Sequence, residues 1–321
     1  MGLGVTNSQA TPNVSAQREP NTHGERNTPR RRRGRRCAAA LISVGALVAG
    51  VLTACSSTDT GDGDLLQKLR DKGTVTVGFA GEAPYSFEQD GQLTGATVAL
   101  HREIFGKLGI KNVEGRNVDF GSLIPGLQAN RFDLVSAGMS ILPERCKQAS
   151  FSDPEFNYTT ALMVRKGNPH GLTDMDSVKA KGVKLATMTG AIESDYADSL
   201  GINKTQVATP QDGMDAVTSG RADVFALTGI SLNWMKKNNP KAAVDVTPSF
   251  VAVIDGKPQV GAGATVFRTN DTELRDAYNA ELKKITSDPK KYLDIVGKFG
   301  FTEKELPDPK LTTANLCAGT A

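Results

Sequence analysis

Two stretches of this sequence are built alike. Leu127–Ser140 reads LQANRFDLVSAGMS, and Val217–Ile230 reads VTSGRADVFALTGI. They align at a spacing of 90 residues, and an Arg-x-Asp triplet follows Asn130 in the first and Gly220 in the second. Asn and Gly readily adopt the left-handed conformation that ends a helix, and an apolar run follows each triplet. Each stretch is therefore predicted to form a helix, a turn and a buried strand.

This likeness has two explanations. Helix–turn–strand units are common, so the two stretches could match by coincidence. Alternatively, the chain contains two lobes of like construction. Elsewhere, predicted strands such as Thr74–Phe79 alternate with predicted helices such as Ala96–Leu108, which indicates an α/β fold with largely parallel sheets. Open α/β sheets bind ligands beyond the carboxyl ends of their strands, so candidate site residues are sought there.

The N-terminal segment has the layout of an export signal. Six arginines within Arg30–Arg36 precede an uncharged apolar run of 18 residues, Cys37–Ala54. A basic start, an apolar middle and small residues before a cleavage point are typical of a secretory signal, whereas a transmembrane helix needs ~20 apolar residues. The final Leu-Thr-Ala-Cys resembles the lipobox of bacterial lipoproteins. We therefore expect residues 1–54 to be removed, Cys55 to be lipidated and residues 55–64 to form a flexible tether.

The charge of the mature chain argues against nucleic-acid binding. Residues 1–55 hold eight of the 38 basic and two of the 35 acidic residues, which leaves 30 basic and 33 acidic residues and a net charge near −3. No basic excess remains to neutralise phosphates.

Two cysteines remain in the mature chain, Cys146 and Cys317. In an oxidising compartment we expect them to form a disulfide, with two free thiols as the alternative. Together with the widely separated His101 and His170 they form no ligand cluster, so no metal or cofactor is expected.

Several motifs at predicted strand ends resemble the solute-binding proteins of polar amino acid ABC importers, family 3. They are Gly78–Tyr85 (GFAGEAPY), Phe120–Leu127 (FGSLIPGL), Gly138–Cys146 (GMSILPERC) and Gly220–Asp223 (GRAD). The resemblance implies the type II periplasmic-binding-protein fold, with two α/β lobes joined by two hinge strands. By analogy the hinges are Thr159–Arg165 and Val260–Phe267. Lobe 1 would comprise residues 65–161 plus 262–321, and lobe 2 residues 162–261.

Other segments resemble the ectoine/hydroxyectoine-binding branch of that family. They are Glu82–Tyr85, Cys146, Val253–Pro258 (VIDGKP), Gly300–Leu306 (GFTEKEL) and Thr312–Gly319 (TTANLCAG). This resemblance implies an extracytoplasmic, lipid-anchored monomer that delivers a small zwitterionic compatible solute to ABC permease subunits.

The resemblance also assigns roles to charged residues. Arg145 stands where the family grips a ligand carboxylate, and a guanidinium pairs with a carboxylate through two hydrogen bonds. Thr228 stands where amino acid binders usually place an aspartate for the α-ammonium group. Glu82 is the expected replacement. A carboxylate there would suit a delocalised cation with two N–H donors, such as the cyclic amidinium of ectoine.

Aromatic and backbone groups complete the expected site. Tyr85 and Phe120 are candidate faces for the cation, with core packing as the alternative for both. Ser140 departs from the ectoine branch, which is expected to have a third aromatic residue there. Thr189 and Gly190 open a helix, whose backbone N–H groups can bind a carboxylate. An ordinary capped helix start is the alternative.

Other functions use the same residues. With Glu82 replacing the usual aspartate, the chain would bind a polar or cationic amino acid. With Glu82 and Glu193 as an acid–base pair, it would be a cleft enzyme such as a dehydratase on the same fold. A sensor that does not serve transport is also open.

Overall fold

The computed structural model describes residues 65–320, which belong to one unit, Thr58–Ala321. The predicted signal 1–54, Cys55 and the tether 55–64 lie outside the described residues. None of the helices within residues 65–320 has the length and apolar character of a membrane span.

Strands and helices alternate along the chain. The strands are β1 (Thr74–Phe79), β2 (Phe87–Gln89), β3 (Gln92–Thr94), β4 (Asn112–Asn117), β5 (Leu134–Ser140), β6 (Ser150–Phe151), β7 (Phe156–Asn157), β8 (Thr160–Arg165), β9 (Leu185–Met188), β10 (Lys204–Val207), β11 (Val224–Thr228), β12 (Val244–Val246), β13 (Val253–Ile254), β14 (Lys257–Pro258) and β15 (Ala262–Phe267). The helices are α1 (Leu65–Lys72), α2 (Ala96–Lys107), α3 (Leu123–Gln128), α4 (Pro143–Cys146), α5 (Met175–Lys181), α6 (Ile192–Ser199), α7 (Pro210–Thr218), α8 (Gly229–Asn238), α9 (Thr272–Thr286), α10 (Pro289–Val296) and α11 (Thr313–Ala318).

Two large sheets form two lobes. In lobe 1 the strand order is β4-β1-β5-β15-β6, and β7 also pairs with β15. In lobe 2 the order is β10-β9-β11-β8-β12. Each sheet has three parallel strands, with β1 or β9 at the centre, followed by antiparallel β15 or β8. The sheets are therefore parallel only in these three-strand parts.

The two similar stretches of sequence build the same unit in the two lobes. The backbone N–H of Asp133 donates to the carbonyl of Thr76 at 2.8 Å, and its carboxylate accepts from the N–H of Thr76 at 2.8 Å. Asp223 makes the same pair of hydrogen bonds with Lys184, at 2.8 and 3.0 Å. Each aspartate thereby fixes the start of its own strand against the neighbouring parallel strand.

The chain crosses between the lobes twice. The first crossing is Tyr158–Thr159, between β7 in lobe 1 and β8 in lobe 2. Residues 251–261 return the chain to β15. The predicted boundary after Ala161 thus falls within β8, because Thr160 and Ala161 already pair with β11. The two segments expected as hinges, Thr159–Arg165 and Val260–Phe267, therefore consist mainly of strands that each belong to one sheet, and the crossings lie at their N-terminal ends.

Strand ends and edge strands differ from the sequence-based prediction. The buried strand predicted after the triplet Arg131–Asp133 is β5, which continues to Ser140 and so brings that residue to the carboxyl end of the sheet. The edge strands β4 and β10 were missed because they are mostly polar and exposed. Such strands are held by backbone hydrogen bonds and show little apolar alternation.

A disulfide joins the C-terminal helix to lobe 1. The sulfur atoms of Cys146 and Cys317 are 1.97 Å apart, and they connect α4 with α11. The hydroxyl of Thr313 also donates to the carbonyl of Ser152 at 2.7 Å. The tail is therefore fixed beside α4, the helix that carries Arg145.

A buried polar cluster lies inside lobe 1. The carboxyl of Glu155 accepts from the hydroxyls of Tyr278, at 2.7 Å, and Thr265. The imidazole Nε2 of His101 is 2.7 Å from the Thr265 hydroxyl. Burial raises the pKa of Glu155 to about 7, although these hydrogen bonds oppose the shift. All four residues belong to lobe 1, so the cluster is independent of lobe 2.

We expect Glu155 to make the protein less stable as pH rises from about 5 to 8. Its pKa is higher in the folded chain than in the unfolded chain, so its contribution is complete below the unfolded value of 4.5 and is lost as pH passes 7. Glu155→Gln should remove about 3 kcal/mol of this pH dependence, measured by urea unfolding at pH 5 and 8. Glu88→Gln, at an exposed position, is the control. Equal pH dependence in wild type and Glu155→Gln would contradict the assignment.

Candidate functional site

A cavity lies between the two lobes at the carboxyl ends of their parallel strands. It measures about 20 Å³, which is room for about one water molecule. Its lining residues come from both lobes and from the first crossing: Glu82, Phe120, Gly138, Ser140, Arg145, Tyr158, Met188, Ala191, Ile192, Glu193, Leu227 and Thr228. A larger solute therefore requires the lobes to separate from this arrangement.

Arg145 bridges the lobes through its guanidinium. Nη1 donates to the carbonyl of Ser140 in lobe 1 at 3.0 Å, and Nη2 donates to the carbonyl of Gly190 in lobe 2 at 2.7 Å. The guanidinium carbon lies 5.6 Å from the centre of the Phe120 ring. Burial lowers the pKa of Arg145, and nearby acidic side chains oppose that shift. Carbonyl oxygens now occupy donors that can equally serve a carboxylate.

Glu82 also spans the lobes. One carboxyl oxygen accepts from the hydroxyl of Ser231 at 2.7 Å and from that of Thr228 at 3.2 Å. Ser231 lies in α8, directly after the strand that ends at Thr228. Burial raises the pKa of Glu82 to about 7, and both hydrogen bonds oppose the shift. The Glu82 carboxyl therefore contacts Thr228, the position where amino acid binders of the family usually have an aspartate.

Glu193 brings a second buried carboxyl to the cavity. One oxygen accepts from the hydroxyl of Thr160 at 3.2 Å, and the other has no hydrogen-bond partner among the described residues. Burial raises the pKa of Glu193 to about 7; Glu82 raises it further, whereas its own backbone N–H, Thr160 and Arg145 lower it. Two carboxyls and one guanidinium thus line a cavity that has room for about one water molecule.

The aromatic residues that line the cavity include one that the sequence did not predict. The ring of Tyr85 stacks on Phe156 at 5.1 Å between centroids, and Tyr85 is not among the residues that line the cavity. Burial raises the pKa of its hydroxyl, and Tyr158 and Glu82 raise that pKa further, so the hydroxyl lies close to the cavity. Phe120 lines it. Tyr158 lines it too and was missed by sequence reasoning. Its position in the crossing segment, one residue after β7, is the signal that could have identified it.

The loop before α6 contributes a carbonyl. Both the N–H and the hydroxyl of Thr189 donate to the carbonyl of Val207, at 3.0 and 3.2 Å, and Thr189 does not line the cavity. Gly190 adopts φ of 77°, and an added Cβ would lie 3.5 Å from the Cα of Gly121 in lobe 1. The donors of Thr189 are therefore engaged inside lobe 2, whereas the Gly190 carbonyl faces Arg145.

Within residues 65–320, no three His, Cys, Asp or Glu side chains are grouped so that they could hold a metal ion. Chemically, the cavity offers a donor fork, two carboxyls and two aromatic rings, which suits a small solute that carries both a carboxylate and a cation.

Comparison with known proteins identifies the family. The family described as "Bacterial extracellular solute-binding proteins, family 3" matches residues 75–301. The probable amino-acid ABC transporter periplasmic-binding protein y4tE of Sinorhizobium fredii is 34% identical over 85% of this chain and 92% of its own length. The arginine-binding extracellular protein ArtP of Bacillus subtilis is 28% identical over 76% of this chain and 91% of its own length.

A solved structure agrees with this assignment. The crystal structure of EhuB in complex with hydroxyectoine superposes with a TM-score of 0.71 at 30% identity, over 80% of this chain and 98% of that chain. The fold is therefore the type II periplasmic-binding-protein fold, and the relative from Sinorhizobium fredii is named as a probable binding protein of an amino-acid ABC transporter. The chain belongs to the bacterial extracellular solute-binding proteins of family 3.

Proposed function

We propose that this protein binds a zwitterionic compatible solute of the ectoine class and delivers it to an ABC permease. In this proposal a lipid on Cys55 holds the protein, as a monomer, at the outer face of the cell membrane. The observation that carries the proposal is the hydrogen bond between buried Glu82 and Thr228, which stands where amino acid binders of the family usually have an aspartate. The hydroxyls of Thr228 and Ser231 both donate to one oxygen of Glu82 and so orient its carboxyl, which can then accept from the N–H groups of a cation, including a delocalised one.

The charges of the cavity fit a compact zwitterion. Arg145 supplies a donor fork for the carboxylate of the solute once its two carbonyl partners are displaced. Glu82 comes from lobe 1 and Glu193 from lobe 2, so their oxygens approach from different sides. A cyclic amidinium has two N–H donors that can reach two such acceptors, whereas its positive charge is spread over the ring.

The aromatic rings support the same class of solute. Phe120 and Tyr158 line the cavity, and a delocalised cation binds favourably over such faces. Burial raises the pKa of Tyr158 well above its usual value, Glu82 raises it further, and the nearby Ser140 side chain opposes the shift. Tyr158 thus lies beside the small Ser140. It supplies an aromatic ring close to the position where the ectoine branch is expected to have its third aromatic residue.

A cationic amino acid is the second candidate. Two carboxyls and one guanidinium carry a net charge of −1 when all are ionised, which complements a solute with one carboxylate and two cations. One relative is named as arginine-binding. A cleft enzyme would use Glu82 and Glu193 for proton transfer, and turnover of cyclic acids by the purified protein would identify it.

Arg145→Ala should abolish binding of ectoine and hydroxyectoine, and Glu82→Gln should weaken it at least tenfold, because each removes an ionic partner from a buried site. The measurement is calorimetric titration of the purified protein with both ectoines, glycine betaine, glutamine and arginine. Arg131→Ala and Glu144→Gln, at exposed positions, are matched controls.

The outcomes of this titration separate the candidates. Selective binding of the ectoines supports the proposal, and selective binding of arginine supports the second candidate. Retained affinity in both Arg145→Ala and Glu82→Gln would overturn the site assignment.

Affinity for an ectoine should fall as pH is lowered from 8 to 5.5. The pKa values of Glu82 and Glu193 are both about 7 because the groups are buried, and only their ionised forms pair with a cation. The carboxylate of the solute stays ionised over this range. For ligand-free protein in this closed arrangement, where both carboxyls are buried, the expected loss approaches tenfold per pH unit below 7 for each carboxyl that must ionise. Glu82→Gln should reduce this slope, and a constant affinity in wild type would contradict the role of the carboxyls.

Tyr158→Ala should weaken binding of ectoine by about 0.5–2 kcal/mol, because one aromatic face is lost. Ser140→Phe alone should also weaken binding, since the added ring competes with Tyr158 for space. In the Tyr158→Ala background, Ser140→Phe should instead restore affinity, because the ring then fills the vacated wall. Tyr158→Phe, which keeps the ring, is the control, and additive losses in the double variant would show that the two positions do not share one wall.

A further inference from the structure

A second cavity adjoins the first. It measures about 170 Å³, compared with about 20 Å³ for the cavity that contains Glu82 and Arg145. Ser140 and Ile192 line both, so these two side chains form the partition between them. The remainder of its wall comes from the residues just before Arg145, from α6, from the segment around β14 and from α11. We call this space the outer groove.

The lining of the outer groove has a defined chemistry. Ile141, Leu142 and Leu316 provide an apolar stretch, and Tyr196, Gln259 and Lys257 provide polar groups. Among the described residues that line the outer groove, Lys257 carries a positive charge and none carries a negative one. The outer groove therefore favours an apolar stem that ends in an anion, in contrast to the two carboxyls of the inner cavity.

The partition is thin on the lobe 1 side. Ser140 has a short side chain, so a substituent of a bound solute meets little obstruction there, whereas an aromatic residue would close this route. Tyr158 lies beside the same serine, and it lines the inner cavity but not the outer groove. A solute held by Arg145 and Glu82 can consequently extend between Ser140 and Ile192.

We infer that the outer groove is a subsite for a second, anionic end of the solute, and that the binding site accepts amino acids with an apolar stem and a terminal carboxylate. The inference rests on the proposed binding function and widens its solute class beyond compact rings. Ser140 and Ile192 determine whether a stem passes, and Lys257 pairs with the carboxylate at its end. Arg145 binds the first carboxylate of the solute in the inner cavity, so Lys257 is left to bind the second carboxylate in the outer groove.

The test compares three solutes on the purified full chain by calorimetric titration: ectoine, 2-aminopimelate and norleucine. The second has the stem and the terminal carboxylate, and the third has a stem alone. Wild type should bind 2-aminopimelate, with an affinity that falls as salt is raised. Lys257→Met should weaken binding of 2-aminopimelate about five-fold and remove part of its salt dependence. Its affinity for ectoine should stay unchanged.

Lys237→Met is the matched control, because Lys237 is an exposed lysine of α8 that does not line the outer groove. Binding of ectoine without detectable binding of 2-aminopimelate would overturn the subsite and leave the proposed function intact. Equal affinity of wild type and Lys257→Met for 2-aminopimelate would also overturn it. Binding of 2-aminopimelate without ectoine would support the subsite and overturn the ectoine assignment.

Discussion

Buried charge at the contact between the lobes is the constraint on which the rest of this structure depends. A charged group removed from water is costly unless it finds a partner, and here the partners come from the opposite lobe. Arg145 in lobe 1 donates to the carbonyl of Gly190, and Glu82 in lobe 1 accepts from Ser231. The parallel strands of both sheets therefore end face to face in this arrangement.

The same constraint makes solute binding an exchange of partners. A carboxylate on Arg145 must displace carbonyl groups, and a cation beside Glu82 must compete with hydroxyl donors. The net gain is the difference between these contacts, so it is smaller than the gross strength of an ion pair. A solute that satisfies only one end leaves the other charge poorly paired, which costs more than the lost contact. The cavity should thus discriminate strongly in favour of solutes with both charges.

The sequence predicts the parts of this site that rest on local rules. Asn130 and Gly220 both adopt the left-handed conformation, with φ of 55° and 75°, as turn chemistry requires. Arg145 and Glu82 reach the cavity because they follow strand ends. Tyr85 also follows a strand end, yet its ring stacks on Phe156, a partner that only the folded chain brings near, while its hydroxyl approaches Glu82. Tyr158 was missed for the converse reason, since a crossing segment has no periodicity.

Buried carboxyls with equal pKa values illustrate why geometry must decide function. Burial raises the pKa values of Glu155 and Glu82 to about 7 in both cases. The hydroxyl donors to Glu155 come from its own lobe, so its environment persists when the lobes separate. The donors to Glu82 come from the other lobe, so separation removes them and admits water, which restores the solvation that burial had removed. The proton affinity of Glu82 is therefore coupled to closure and to the solute, whereas that of Glu155 is coupled only to the folding of lobe 1.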